Sequence, residues 1–164
     1  MRSPSSRAFF VLALSALIPM ARMNGSDGSP APKQFRAHIG GFGGGDFVVE
    51  LRDNVLTYTA RARERGRPAR TETVAPTSAQ WRDFRAALDE FRIWNWKSQY
   101  PSQGVTDGTQ WSIDITYSDR SLAAKGSNNF PNAAGQPNGQ SVPTKTFQRY
   151  LATVKTLLGG REFE

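Results

Sequence analysis

From Trp111 to Tyr117 the chain reads Trp, Ser, Ile, Asp, Ile, Thr, Tyr, apolar and polar in strict alternation. Side chains of an extended strand point to opposite faces in turn, so such a stretch buries one face and leaves the other to water. The same period runs through Phe35, Ala37 and Ile39, through Phe47, Val49 and Leu51, and through Leu56, Tyr58, Ala60 and Ala62. Arg52-Asp53-Asn54 joins the second and third of these, which runs from Val55 to about Arg65 before Gly66-Arg67-Pro68. Ser118-Asp119-Arg120 turns the Trp111 strand into a short partner, Ser121 to Gly126. These are the residue types that tight turns select.

Two segments carry the helical period instead. Thr77-Ser78-Ala79-Gln80 matches a capping box, after which Trp81, Phe84, Leu88 and Phe91 fall on one face. A second helix is predicted from Pro143 in its first turn, with Phe147, Tyr150, Leu151, Val154, Leu157 and Leu158 as its stripe and Gly159-Gly160 as its end. The order β-β-β-α-β-β-α predicts an α+β fold, an antiparallel sheet of about five strands with two helices on one face. Stacking both stripes on one sheet face removes both from water, at roughly 25 cal/mol per Å² of apolar area. The other face then carries Val55, Thr57, Thr59, Arg61, Arg63, Ser112, Asp114 and Thr116, and is solvated or binds something.

At 164 residues the chain has room for one domain. Arg2 and Arg7 precede an apolar run, Ala8 to Ile18, that is too short for a comfortable membrane span and is followed by a polar stretch. Residues 1–21 therefore read as a signal peptide, 22–33 as a Gly, Ser and Pro-rich linker, 34–160 as the domain and 161–164 as a tail. The expected location is the periplasm or outside the cell. Leu17 stands where a lipobox after Leu14-Ser15-Ala16 would need Cys. A start at Met20 or Met23 is the competing reading, and makes the protein cytoplasmic.

Cysteine is absent and His38 is the single histidine, which excludes disulfides, thiol catalysis and any site needing two His. The net charge is +7, carried largely by Arg, which favours anionic partners. The run Gly40-Gly41-Phe42-Gly43-Gly44-Gly45 lacks the Lys-Ser or Lys-Thr of a phosphate loop and leads into a strand, so it reads as a hairpin connection. Arg61, Arg63, Arg65, Arg67 and Arg70 recur within ten residues, the first three on one strand face, where they would grip phosphates or carboxylates or guard an edge strand.

Trp94 and Trp96 share one side of an extended segment and offer flat rings to a sugar, with Asn95 and Asp107 supplying hydrogen bonds and Tyr100 and Asn128 as further candidate binding residues; packing into a seam of the core is the competing account. Asp107, Asn128 and Asn129 lack the spacing of a calcium loop, and no metal site or cofactor is expected. Trp94, Trp96, Tyr100, Asp107-Gly108, Trp111, Tyr117 and Gly126-Ser127-Asn128-Asn129-Phe130-Pro131, followed by an amphipathic helix, form a pattern over roughly 77–158. It resembles that of small exported α+β bacterial proteins of uncharacterised activity, and implies no substrate or cofactor. Asn129 and the insertion 132–141 depart from the compact form of that pattern.

The expected function is a non-enzymatic binding or interaction module of the bacterial envelope, its partner an envelope protein, an anionic surface or a glycan. One alternative is a carboxylate-dependent hydrolase, which requires two of Asp107, Asp114 and Asp119 in one pocket. Another is a cytoplasmic nucleic-acid binder started at Met23, which would use the arginine cluster.

Overall fold

A computed structural model describes residues 30–41, 44–61, 68–102, 104 and 107–164. The expected signal peptide, most of the linker, and Arg63 and Arg65 lie outside the described residues. Period-two alternation becomes strands β1 (Gln34–Gly41), β2 (Asp46–Arg52) and β3 (Val55–Arg61). Asp53 and Asn54 both take positive φ in the two-residue β2–β3 turn, the backbone that matches the twist of paired strands and that Asn and Asp tolerate best. Strand β4 (Arg70–Val74) follows, then α1 (Ser78–Glu90), the short β5 (Gln99–Tyr100), β6 (Thr109–Thr116), β7 (Ser121–Ser127) and α2 (Lys145–Leu157).

The strands form one sheet in the order β4-β3-β2-β1-β6-β7-β5. Among the described residues, seven strands replace the expected five or so, and the sheet is mixed, because β5 pairs in parallel with β7 while the other pairings are antiparallel. The two extra strands sit at the rims. Strand β4, Arg-Thr-Glu-Thr-Val, has almost no apolar face, and β5 is two residues long, so neither shows a hydrophobic period.

Thr77 and Gln80 close the capping box of α1, each side chain bonding the other's backbone amide, at 3.2 and 2.8 Å. Helix α2 starts later than its sequence suggests. Thr144, not a residue before Pro143, is the N-cap, and its hydroxyl accepts from the Phe147 amide at 3.1 Å. Phe35 of β1 meets Trp81 and Phe84 of α1, with ring centres 6.4 and 5.2 Å away, while Trp111 of β6 meets Phe147 of α2 at 4.9 Å. Phe35 pairs with Ile115 and Ile39 with Trp111, so these contacts share one sheet face and both helices cover it.

Residues 161–164, read from the sequence as a tail, pack against the body. Phe163 is buried against Phe47, Arg161 pairs with Glu72 at 2.7 Å, and the Tyr58 hydroxyl donates to the Glu162 carbonyl at 2.6 Å.

Candidate functional site on the open sheet face

The face away from the helices carries the polar half of each alternating strand. Register places Thr71, Thr59, Val48, His38, Ser112, Lys125 and Gln99 in a single row across all seven strands. The next row holds Thr73, Thr57, Glu50, Arg36, Asp114 and Ala123. Arg52, through its hydrogen bond, holds the Glu50 carboxyl below the usual carboxylate range.

His38 is not alone on its strand. Its Nε2 lies 2.7 Å from the Asp46 carboxylate, which the antiparallel pairing of β1 with β2 brings back beside it. Two shallow depressions open next to it. One, of about 380 Å³, is lined by His38, Gln99, Gln110, Ser112, Lys125 and Ser127, with Tyr100 and Trp111 beneath. The other, of about 260 Å³, takes in Gln99, Ser112, Asp114, Ala123 and Lys125.

Ser112 stands opposite His38. Hydroxyl, imidazole and carboxylate together suggest acyl transfer, yet that chemistry also needs amides aimed at a developing oxyanion. Strands β1 and β6 pair without a break from Gln34 to Gly41, so their backbone donors belong to regular ladders rather than to an oxyanion hole.

The aromatic residues singled out in the sequence do not meet on this face. Trp96 is buried against Trp111, Phe147 and Tyr150, and Tyr100 is fully enclosed. The Tyr100 hydroxyl donates to the Gly135 carbonyl at 2.6 Å and accepts from the Lys97 amide at 2.8 Å, and burial pushes its pKa up. Neither ring has a flat surface to offer a sugar, which corrects that expectation. Trp94 is half-buried at the edge of Tyr117, with the Arg85 and Arg120 guanidiniums 5.0 and 5.5 Å from its ring centre.

Asn128 and Asp107 do come together, for a structural reason. Buried Asn128 accepts from the Thr109 amide at 2.8 Å and donates to the Asp107 carbonyl at 3.0 Å, clamping the loop that feeds β6. Gly108 leaves no room for a Cβ beside this clamp. Asn128→Ala is expected to cost about 1–3 kcal/mol, because two part-buried backbone groups lose their hydrogen-bond partner, measured by urea unfolding. A loss within experimental error would show that the clamp holds nothing.

Arg61 is exposed at the end of β3, in register with Asp46. Asp107 and Asp119 flank the eight-residue β6 from opposite ends, more than about 20 Å apart at the rise of a strand. Asp114 lines the smaller depression without either of them. The carboxylate pair that a hydrolase needs is therefore not assembled from these three.

Asp119 is instead held by both terminal nitrogens of Arg85, at 3.0 and 2.8 Å, and by Arg120 at 3.1 Å. Arg85 also reaches Asp89 at 3.0 Å and lies over Tyr117 at 4.4 Å. The Arg85 fork holds the Asp119 carboxyl well below its ordinary range. A depressed carboxylate contributes stability above its unfolded pKa and loses it as pH falls through the folded one. Glu50 and Glu72, the latter lowered chiefly by its bond to Arg161, act with the same sign. The melting temperature is thus expected to fall as pH drops below about 4, and to fall less steeply in Arg85→Gln. Equal slopes in thermal melts across that range would count against the pairing.

No protein-family model matches the chain, and no curated protein matches it. Among the described residues, no group of three or more acids and histidines is placed to hold a metal ion, and no helix is long and apolar enough to cross a membrane.

The residues that sequence reasoning missed are Gln99, Ser112 and Lys125 as a group, and Asp46 as the partner of His38. No motif marks them. Only the order β1-β6-β7-β5 gathers the first three, and only the hairpin register pairs the last two.

Proposed function

We propose that the chain is an exported, non-enzymatic binding module of the bacterial envelope, and that its contact surface is the uncovered face of the sheet. The observation that carries this reading is the placement of both helices on one face, which among the described residues leaves a polar face across the seven strands without a covering layer. The scattered positions of Asp107, Asp114 and Asp119 favour binding over hydrolysis. The basic start and the apolar run Ala8 to Ile18 support export.

A photo-crosslinking side chain tests the reading in native cells, placed at Thr57 or Ala123 on the open face and at Arg82 or Ala152 on the outer surfaces of the helices. A discrete adduct from Thr57 or Ala123, in the exported fraction, is the expected result. Adducts from the helix positions alone, no adduct from any position, or a chain confined to the cytosol would overturn it.

A further inference from the structure

The two depressions on the open face share Gln99, Ser112 and Lys125. Among the described residues, none of these three side chains makes a hydrogen bond or ion pair, whereas their neighbours are engaged. Gln110 bonds Ser127 at 2.7 Å, and His38 bonds Asp46 at the same distance. An amide, a hydroxyl and an ammonium group therefore stand together with their bonding capacity unspent, at the junction of a groove that crosses β1, β6, β7 and β5. Three interstrand spacings make that crossing about 14 Å long.

We infer that this groove takes an acidic saccharide, a short sugar chain bearing carboxylates of the uronic acid kind. This deepens the proposed function and rests on its reading of the open face. Lys125 meets the carboxylate, while Gln99 and Ser112, each both donor and acceptor, match sugar hydroxyls that are also both. Asp114 in the smaller depression accepts from a further hydroxyl.

Competing ligand classes fit worse. A bound peptide is anchored by side chains in apolar pockets, and here the apolar floor, Trp111 and Tyr100, is already buried beneath the polar groups. A nucleic acid presents a phosphate at every nucleotide, whereas the lining of the two depressions supplies one lysine, with Asp114 beside it, among amide and hydroxyl groups, which suits a ligand whose polar groups are mostly hydroxyls.

The test is an NMR titration of the isotope-labelled full chain with a trimer of galacturonic acid and, separately, with its uncharged methyl ester. The acid is expected to shift the amides of His38, Gln99, Ser112 and Lys125, and to bind about tenfold more tightly than the ester. Lys125→Gln is expected to remove that difference without changing the melting temperature. Ser112→Arg, which fills the junction, is expected to abolish binding.

Equal binding of acid and ester, or shifts confined to the helices, would overturn the inference. If the trimer leaves the groove silent while Thr57 and Ala123 still cross-link a partner, the ligand class is wrong and the surface reading stands. If both experiments are silent, both readings fall.

Discussion

Phe147→Ala is expected to lower stability by about 3–5 kcal/mol, in the range for deleting a buried aromatic ring. Phe147 is fully buried, with its ring centre 4.8 Å from Phe130, 4.9 Å from Trp111, 5.7 Å from Tyr150 and 6.1 Å from Trp96. It joins α2, β6, the loop after β7 and the segment before β5. Removing it opens a cavity that several rigid rings border, and rings in four separate segments do not collapse together cheaply.

One feature moderates the loss. Among the described residues, Trp96 Nε1 and the Tyr150 hydroxyl are buried without a hydrogen-bond partner, so a water admitted by the cavity gains polar contacts there. Urea unfolding followed by tryptophan fluorescence gives the number. Phe147→Leu, which keeps most of the volume, is expected to cost under about 2 kcal/mol. A Phe147→Ala loss as small as that of the leucine variant would mean that the cluster repacks without the ring.

Deleting residues 161–164 is expected to cost about 3–5 kcal/mol, far more than trimming a solvated terminus. Burial of a Phe side chain contributes about 1.5–3 kcal/mol, and a buried hydroxyl stripped of its acceptor adds about 1–3 kcal/mol. Here the ring is Phe163 and the hydroxyl is that of Tyr58, which loses the Glu162 carbonyl. A double-mutant cycle separates the two contributions. Tyr58→Phe is expected to destabilise the full chain by about 1 kcal/mol and to leave the truncated chain no less stable, because its hydroxyl is already unpaired there. Identical effects in both backgrounds would exclude the hydrogen bond as the source.

The elements legible in the sequence are those whose burial leaves a period. Phe35, Ala37 and Ile39, or Trp111, Ile113 and Ile115, each declare a strand because alternate side chains face the helices, and Trp81, Phe84 and Leu88 declare a helix for the corresponding reason. Thr77 and Gln80 announce its start through a local bond that needs no tertiary information. Strand β4 leaves no such trace because it lies at the rim, where Arg70, Thr71 and Thr73 face water. Phe163 was illegible as core because four terminal residues are too few to show any period.

The open face was legible as a face, since Thr57, Thr59, Ser112, Asp114 and Thr116 are the polar halves of alternating strands. Its chemistry was not. Gln99, Ser112 and Lys125 are ordinary polar residues that lie in three segments and meet only through strand order. Trp96 and Tyr100 misled for a general reason: a large ring serves a core and a sugar platform equally well, and sequence spacing does not distinguish them.

The central strand carries a consequence for how the chain acquires its shape. β1 pairs on one side with its immediate successor and on the other with β6, where Gly41 meets Thr109 and Gln34 meets Thr116. The first pairing closes a short loop; the second must bring together positions about 70 to 80 apart, and that entropy is lost before any contact compensates it. The early meander can thus form while half of its apolar surface still waits for partners made much later. A chain built this way assembles slowly for its size, and its half-finished form is the species most in need of a holdase.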